Sequence, residues 1–399
     1  MTQDSQQPQD GRKPMLTTTR PALHRTLTHG GSPREGQPDP ALIERYEGII
    51  HRQRLSWTTH HHLTKILGSG GQGVVFLSER RGADHFTLPV AIKVFSPEHY
   101  ASAKEYDEAM ARMAKVASEV ALIQHDCLLD VHNFVDRNRI RGMVMEWIDG
   151  YDLRRLLVPR MLELVHSRVS PSRWEYINSV LVTAGPVQPR FKPGVAVKVV
   201  RDCLGALAAL HRHGIVHGDI KPANIMLKRT GSAKIVDIGS AFQLEDPPPV
   251  RTCTLQYAAP EVLEGQEATP RSDLASLGYV LIELLSGQPL FSHLNGLREL
   301  LEARRSLPHR LHEVVPHEVA VNDLLMKFCC GMIAPDPQKR FPSAEAAELL
   351  KSVSASAFHR QLVLSDMASE YGNEIRLWLE ELKELEEQVR EEGSSGRAL

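Results

Sequence analysis

The residues with the clearest chemical potential lie in one short stretch, His217-Gly218-Asp219-Ile220-Lys221-Pro222-Ala223-Asn224. It places a carboxylate at Asp219, an ammonium group at Lys221 and a carboxamide at Asn224. These groups could accept a proton from a hydroxyl, neutralise charge on a phosphoryl group and hold a divalent metal on a nucleotide. The spacing therefore predicts a loop that carries out phosphoryl transfer.

A second carboxylate, Asp237, follows in an Asp-Ile-Gly triplet. The β-branched run Lys234-Ile235-Val236 before it predicts a strand that carries Asp237 toward the same site. Together the two motifs resemble the serine/threonine branch of the eukaryotic-type protein kinase family. The resemblance implies that Asp219 is the catalytic base, that Lys221 stabilises the transfer, and that Asn224 and Asp237 bind the metal.

A glycine-rich segment lies earlier in the chain, Gly68-Ser69-Gly70-Gly71-Gln72-Gly73. Glycines let the backbone approach phosphate oxygens and direct N–H groups at them. Residues 63–67 and 74–77 on either side predict strands, as in kinases, whereas a dinucleotide-binding loop leads into a helix. The resemblance implies that this segment, with Val75, covers the nucleotide.

The next predicted strand contains Lys93 among apolar neighbours. A buried ammonium group needs an anionic partner. The resemblance assigns Lys93 to the α- and β-phosphates and to a glutamate of the following helix, residues 102–124. Glu119 is the favoured partner because apolar residues follow it at the family's spacing, and Glu108 and Glu105 are alternatives.

Residues 131–135 and 140–145 predict a β-hairpin that leads into a segment resembling the family's hinge. The resemblance implies that Met145 is the gatekeeper, although core packing explains it equally, and that backbone groups of Glu146 and Ile148 bind adenine. Asp152 matches a position that contacts the ribose or a basic substrate side chain. The predicted wall of the nucleotide cleft is Ala91, Met145, Glu146, Ile148 and Asp152.

The segment after Asp237 resembles a short activation segment, residues 240–257. Thr254 matches the threonine that bridges the catalytic aspartate and lysine in serine/threonine kinases. Further on, Ala258-Ala259-Pro260-Glu261 resembles the family's peptide-docking platform, in which Glu261 pairs with a distant arginine, here Arg340.

Asp273 should cap the helix of residues 274–285 and hold the backbone of the catalytic loop. Regulated kinases usually carry an arginine where this chain has Gly218, and a phosphate on the activation segment pairs with that arginine. We therefore expect activity that does not require phosphorylation of Thr252 or Thr254.

The composition limits the classes of partner. The chain has 47 basic and 49 acidic side chains, so no global field attracts nucleic acid or an anionic membrane. No apolar run is long enough to span a bilayer, and the polar N-terminus does not resemble a signal peptide, so the cytoplasm is the expected compartment. The five cysteines lack paired spacing and predict reduced thiols, and His60-His61-His62 predicts the start of a strand rather than a metal site.

The resemblance implies an α+β, two-lobed, protein kinase-like fold: a small antiparallel-sheet N-lobe with one main helix, and a larger, mostly helical C-lobe. A chain of 399 residues is long enough for such a domain and flanking segments. The expected catalytic domain spans residues 56–352, with lobes at about 60–146 and 150–352. Residues 158–193 form an insertion, which is either a partner-binding surface or a packed surface excursion.

Polar segments flank the expected domain. Residues 1–55 predict a disordered tail, in which the apolar patch of residues 42–50 either forms a transient helix or docks on the domain. Residues 353–399 predict an acidic amphipathic helix, whose apolar seam lies against the C-lobe, against a partner protein or in a coiled-coil dimer.

The expected function is a serine/threonine protein kinase that uses ATP with Mg²⁺ or Mn²⁺ on protein substrates. A pseudokinase scaffold that signals through the tails and the insertion is the main alternative. A kinase for small molecules is the other, because it would share the phosphate chemistry.

Overall fold

The computed structural model describes residues 26–29, 39–52, 54–56, 60–82, 84–249, 251–348 and 371–395. Within them the chain forms an N-lobe built on an antiparallel sheet and a larger C-lobe built mostly of helices. This arrangement confirms the α+β, two-lobed fold. Elements are numbered below in chain order.

The N-terminal region has more structure than expected. Strand β1 (Thr26–His29) pairs with a strand of the activation segment, and helix α1 (Pro40–Arg52) contacts the N-lobe sheet. Leu42 and Tyr46 lie one helical turn apart on α1 and are only 2% and 8% exposed. The expectation of disorder over residues 1–55 is therefore wrong over α1, and of the two alternatives for residues 42–50 the structure has the docked one.

The N-lobe sheet has the strand order β2-β3-β4-β5-β7-β6, with every neighbouring pair antiparallel. Helix α2 (Ala103–Val120) packs an apolar stripe against it, and Tyr106 Oη donates to the carbonyl of Phe95 at 3.3 Å. The strands are β2 (Arg54–Ser56), β3 (His60–Gly70), β4 (Gly73–Arg81), β5 (Thr87–Phe95), β6 (Val131–Arg137) and β7 (Ile140–Glu146).

Two long helices form the centre of the C-lobe, α6 (Pro193–Arg212) and α8 (Pro270–Ser286). Every residue of α8 from Ser272 to Ser286 is buried, as expected for a helix surrounded by protein on all sides. The other helices of this lobe are α3 (Leu153–Leu156), α4 (Pro159–Arg168), α5 (Pro171–Val180), α7 (Pro260–Leu263), α9 (Leu297–Val314), α10 (His317–Ala320) and α11 (Asp323–Ile333).

Short strands connect the lobes and shape the site. They are β8 (Gly150–Asp152), β9 (Val182–Thr183), β10 (Arg190–Phe191), β11 (Ile215–Val216), β12 (Ile225–Lys228), β13 (Ala233–Ile235), β14 (Phe242–Gln243) and β15 (Arg251–Thr254). Strand β12 pairs with both β8 and β13, so it joins the chain leaving the N-lobe to the strand before Asp237. None of the helices in the described ranges combines the length and apolarity needed to cross a bilayer.

A C-terminal helix (Tyr371–Ser395) packs on the C-lobe, where it contacts α4 and α6. Its apolar seam is buried in the same core as the catalytic lobes, and Trp378 stacks edge-on against Phe191 with centroids 6.0 Å apart. At its first residue, the Tyr371 ring lies so close to α6 that a β-carbon at Gly194 would come within 2.4 Å of it. Of the expected seam, Ala368 lies outside the described residues.

This packing decides between the expected uses of the seam. Ile375 and Leu382 are fully buried within the chain, so they do not form the free face that a partner protein or a coiled coil needs. The insertion at residues 158–193 supplies α4 and α5, whose Val165 and Ile177 are also fully buried. Helix α4 and Arg173 of α5 contact the C-terminal helix, so this segment forms part of the surface on which that helix packs.

Candidate active site

A cavity of about 1310 Å³ lies between the lobes. The β3–β4 hairpin forms its roof and the 217–224 loop its floor. It is lined by nearly all the residues predicted for catalysis and for nucleotide or metal binding: Gly68, Ser69, Gly70, Gly71, Gln72, Gly73, Val75, Ala91, Lys93, Met145, Glu146, Ile148, Asp152, Asp219, Lys221, Asn224, Asp237 and Thr254. Glu119 alone of the predicted set is not among its lining residues.

The floor loop is held from below by α8. The carboxylate of Asp273 accepts hydrogen bonds from the backbone N–H of His217 and of Gly218, both at 2.9 Å, and contacts His211 Nε2 at 2.9 Å. This is the support expected of Asp273. Its expected capping role is wrong, because α8 begins one turn earlier and Thr269 forms the cap.

Gly218 has a left-handed backbone with φ +75°. A β-carbon there would also lie 3.0 Å from the carbonyl oxygen of Ser240. A larger residue at this position would therefore strain the loop. The backbone conformation therefore favours glycine at this position.

Asp219 lies at the centre of a compact hydrogen-bond network. Its Oδ2 accepts from Lys221 Nζ at 2.6 Å and from Asn224 Nδ2 at 3.2 Å, and its Oδ1 accepts from Thr254 Oγ1 at 2.7 Å. Lys221 Nζ also donates to Thr254 Oγ1 at 2.8 Å, which closes a triangle of the three side chains. These contacts fix the orientation of the carboxylate in the cavity floor.

Lys93 and Asp237 form an ion pair across the lobes. Burial raises the pKa of Asp237, but the charge and hydrogen bond of Lys93 outweigh it and lower that pKa to about 2. The backbone of Asp237 is left-handed with φ 63°, and its carboxylate also accepts from Gly239 N at 3.1 Å. The side chain keeps 35% exposure, so it remains accessible from the cavity.

The prediction that a glutamate of α2 pairs with Lys93 is wrong. Besides Asp237, Lys93 Nζ donates to Gln72 Oε1 of the glycine-rich hairpin at 2.8 Å. Glu119 lies in the last turn of α2, and its Oε2 has no hydrogen-bond partner among the described residues. The inward face of mid-α2 carries Met113 and Val116, so no acidic side chain is placed to reach Lys93 from there.

The two alternative partners of Lys93, Glu105 and Glu108, form other contacts. Glu105 Oε2 accepts from Ala101 N at 2.8 Å beside the start of α2, and Glu108 pairs with Lys104 at 3.7 Å along the outer surface. Gln72 also donates from Nε2 to Ser240 Oγ at 2.9 Å. The hairpin tip is therefore tied to the segment that follows Asp237.

The hinge lies at the back of the cavity. Met145 is 6% exposed on β7 and is directly opposite Ala91 in the sheet, so it packs in the core and lines the cavity at once. The Glu146 N–H donates to the carbonyl of Asp130 at 3.0 Å, and the Glu146 side chain pairs with the buried Lys234. Asp152 accepts from Arg155 N at 2.9 Å at the start of α3, and burial raises its pKa.

Comparison with known proteins agrees with this geometry. The family model described as "Protein kinase domain" matches residues 61–352, close to three quarters of the chain. The chain belongs to the protein kinase family.

Curated relatives of this kinase include bacterial serine/threonine-protein kinases. It is 32% identical to PknB of Mycolicibacterium smegmatis over 250 residues, which cover 59% of this chain and 34% of the relative. It is 28% identical to PrkC of Bacillus subtilis over 295 residues, which cover 72% of this chain and 39% of the relative. The kinase thus matches well under half the length of either relative.

The site of this kinase fits the ATP and divalent metal that the family uses. Asn224 donates its amide N–H groups to Asp219, which leaves its amide oxygen for a metal, and Asp237 offers a carboxylate in the same cavity. Oxygen donors of this kind suit Mg²⁺, which is completed by phosphates and water. In the part of the chain that the structure describes, no cluster of three or more His, Cys, Asp or Glu residues forms a metal site by itself.

Below the activation segment of the kinase, Glu261 and Arg340 form the expected buried ion pair. It is bidentate, with Arg340 Nη1 to Glu261 Oε1 at 2.6 Å and Nη2 to Oε2 at 2.7 Å. Burial raises the pKa of Glu261, but the hydrogen bonds and charge of Arg340 outweigh it, so that the pKa falls below its usual value. The pair anchors α7 to the end of the lobe.

Sequence reasoning missed a second buried cation in the same region of the kinase. Arg304 of α9 is fully buried, donates from Nη2 to the carbonyl of Leu255 at 2.6 Å, and stacks on Phe291 at 4.3 Å. Its only sequence signal is that it falls on the apolar face of α9, between Leu300 and Leu307. It supports the backbone just after Thr254.

Proposed function

We propose that this kinase is an active serine/threonine protein kinase that transfers the γ-phosphate of ATP to hydroxyl groups of protein substrates. The observation that carries the proposal is the triangle of Asp219, Lys221 and Thr254, whose side chains lie within 2.8 Å of one another. The family resemblance associates this threonine and lysine with serine/threonine specificity. The names of the curated relatives point the same way.

The chemistry rests mainly on positioning and on charge stabilisation. Asp219 would orient the substrate hydroxyl and accept its proton, while Lys221 beside it would stabilise charge on the phosphoryl group in transfer. Lys93 would align the nucleotide phosphates beneath the glycine-rich hairpin. Asn224 and Asp237 would hold the metal, which neutralises charge on the phosphate oxygens when bound.

The pseudokinase alternative is disfavoured by the geometry of the site. Lys93, Asp219, Asn224 and Asp237 are all present and line one cavity, whereas a scaffold needs none of them there. The kinase for small molecules is disfavoured by the buried Glu261–Arg340 pair, which builds the platform that resembles the peptide-docking surface of protein kinases.

The test is to incubate the purified chain with labelled ATP, Mg²⁺ and degenerate peptides whose only acceptor is serine, threonine or tyrosine. We expect label in the serine and threonine peptides, little in the tyrosine peptides, and none when the metal is chelated. Nucleotide binding without any transfer would support the scaffold instead. Transfer only to small hydroxyl compounds would support the other alternative.

Control of this activity should not depend on a phosphate in the activation segment. Gly218 offers no cation to a phosphate on Thr252 or Thr254. We expect Thr252→Ala, and separately phosphatase treatment of the wild type, to leave peptide phosphorylation close to the untreated rate. Thr254 is unsuitable for this test because it contacts Asp219 and Lys221. A large loss in either experiment, with unchanged circular dichroism, would show that the segment is a phosphoswitch after all.

A further inference from the structure

The C-terminal helix presents two different faces. One face, with Ile375, Trp378, Leu379 and Leu382, is buried in the core of the C-lobe. A second, charged stripe lines the cavity that also holds the proposed catalytic and nucleotide-binding residues: Lys383, Glu386, Glu387 and Arg390. Successive turns contribute Lys383, then the adjacent Glu386 and Glu387, then Arg390, so the stripe follows one side of the helix. The helix therefore forms part of the wall of the nucleotide cavity.

Glu386 of this stripe binds the chain just beyond the hinge at two points. Its Oε2 accepts from Tyr151 Oη at 3.0 Å, and its Oε1 pairs with the guanidinium of Arg155. Tyr151 is 6% exposed, and burial together with the neighbouring Glu386 carboxylate raises its pKa, so the phenol remains protonated and donates. Hydrogen bonds of this kind to a carboxylate are among the stronger ones in proteins.

A third contact reaches the hinge itself. Lys383 Nζ lies 3.3 Å from Asp149 Oδ2, and Arg229, after β12, lies 3.3 Å from the same oxygen. The helix and β12 thus hold Asp149 together. Strand β8 follows at once and is paired with β12.

The held segment is the one that would meet the sugar of the nucleotide. Asp152 ends β8 and caps α3 through Arg155 N, so it is placed between the two residues, Tyr151 and Arg155, that Glu386 contacts. Fixing the backbone of this segment before ligand arrives removes an ordering cost from binding. A helix whose purpose was only to cover apolar surface would not need these contacts.

We propose that the C-terminal helix is a latch on the hinge, and that Glu386 acts as a positioning residue that sets the affinity for nucleotide. This inference rests on the proposed nucleotide site. Docking of the helix favours the conformation that binds ATP, and loss of the latch weakens binding without changing the groups that carry out phosphoryl transfer.

The test compares Glu386→Gln with Glu384→Gln. Both change one glutamate to its amide on the same helix, but Glu384 is exposed and lies outside the cavity lining. Tyr151→Phe is a second probe, because it removes the hydroxyl that donates a hydrogen bond to Glu386 and keeps the ring. The measurements are the Kd of a fluorescent ATP analogue, the KM for ATP, kcat at saturating ATP, and amide hydrogen exchange over residues 149–157.

We expect Glu386→Gln to raise the Kd and the KM by about fivefold, the lower end of typical coupling between sites, with kcat little changed. Amide hydrogen exchange over residues 149–157 should also rise in Glu386→Gln. Tyr151→Phe should change the Kd, the KM and the exchange in the same direction. Glu384→Gln should match the wild type in all of them. Equal Kd values for the Glu386 and Glu384 variants would overturn the latch, even if the Glu386 variant melted earlier. A wild type that bound no nucleotide would overturn the proposed function, and this inference with it.

Discussion

Replacement of Asp219 by asparagine is expected to reduce peptide phosphorylation by about 10²–10⁴, the usual contribution of a general base. Asparagine keeps the shape of the side chain, but it has one acceptor oxygen in place of the two that receive Thr254 and Lys221, and it cannot take a proton from the substrate. Nucleotide binding should change little. Initial rates at saturating ATP, together with the Kd of a fluorescent ATP analogue, separate the two effects.

The matched control is Asp323→Asn, the same change at an exposed position in the first turn of α11. It should transfer phosphate at the wild-type rate. Asp219→Asn transferring at that rate as well would show that another group accepts the proton, and the assignment of Asp219 would fail.

Replacement of Arg340 by methionine is expected to lower the free energy of unfolding by about 3–5 kcal/mol, because it leaves the Glu261 carboxylate buried without its partner. The side chains of Arg340 and Glu261 are 0% and 6% exposed, so water cannot replace the lost contacts. The urea unfolding midpoint measures the loss.

Two comparisons isolate the buried charge. Arg305→Met breaks an exposed ion pair with Glu264 and should cost less than about 1 kcal/mol. The double variant Glu261→Leu with Arg340→Met removes both charges and should recover most of the loss. An Arg340→Met variant as stable as Arg305→Met would mean that the pair contributes nothing.

The pair also predicts a pH dependence. Arg340 lowers the folded-state pKa of Glu261 below its usual 4.5, so the stabilisation is present above about pH 4.5 and is lost as the pH falls through the lower folded value. In Arg340→Met, burial of the Glu261 carboxylate is opposed only by the hydrogen bonds from Ser272 and the Glu261 backbone, which are weaker than the lost contribution of Arg340. The variant should therefore gain stability relative to the wild type as the medium is acidified.

The residues proposed for catalysis could be recognised together in the sequence because their spacing is local. Asp219, Lys221 and Asn224 fall within six residues of one loop, so the chemistry is legible without knowledge of distant contacts. Thr254 and Arg340 were placed by family resemblance, and the structure brings them to Asp219 and Glu261.

The partner of Lys93 could not be predicted because it depends on how a helix packs. Sequence spacing placed Glu119 on α2 but did not reveal that the helix ends at Val120 or that its inward stripe is apolar. Similarly, Gly218 reads in the sequence only as a missing charge. The structure shows that its backbone is left-handed and that a β-carbon there would lie 3.0 Å from the carbonyl oxygen of Ser240.

The position of the C-terminal helix illustrates the same limit. An amphipathic pattern predicts an apolar face but does not name its neighbour. Phe191 and Val165, which lie in the core with that face, come from an insertion that read as irregular because prolines interrupt it. In the structure, two of those prolines, Pro159 and Pro171, occupy the first turns of α4 and α5.

The burial of Ile375 and Trp378 shows that the segment matched by the family model and the unit that shares one core do not have the same end. The family model for the protein kinase domain ends at residue 352. The buried core extends at least to Leu385, because residues of the kinase domain and of the C-terminal helix belong to a single core. A fragment cut at residue 352 would keep every residue assigned to catalysis and would still be an incomplete folding unit, with the apolar seat on α4 and α6 open to water and to aggregation.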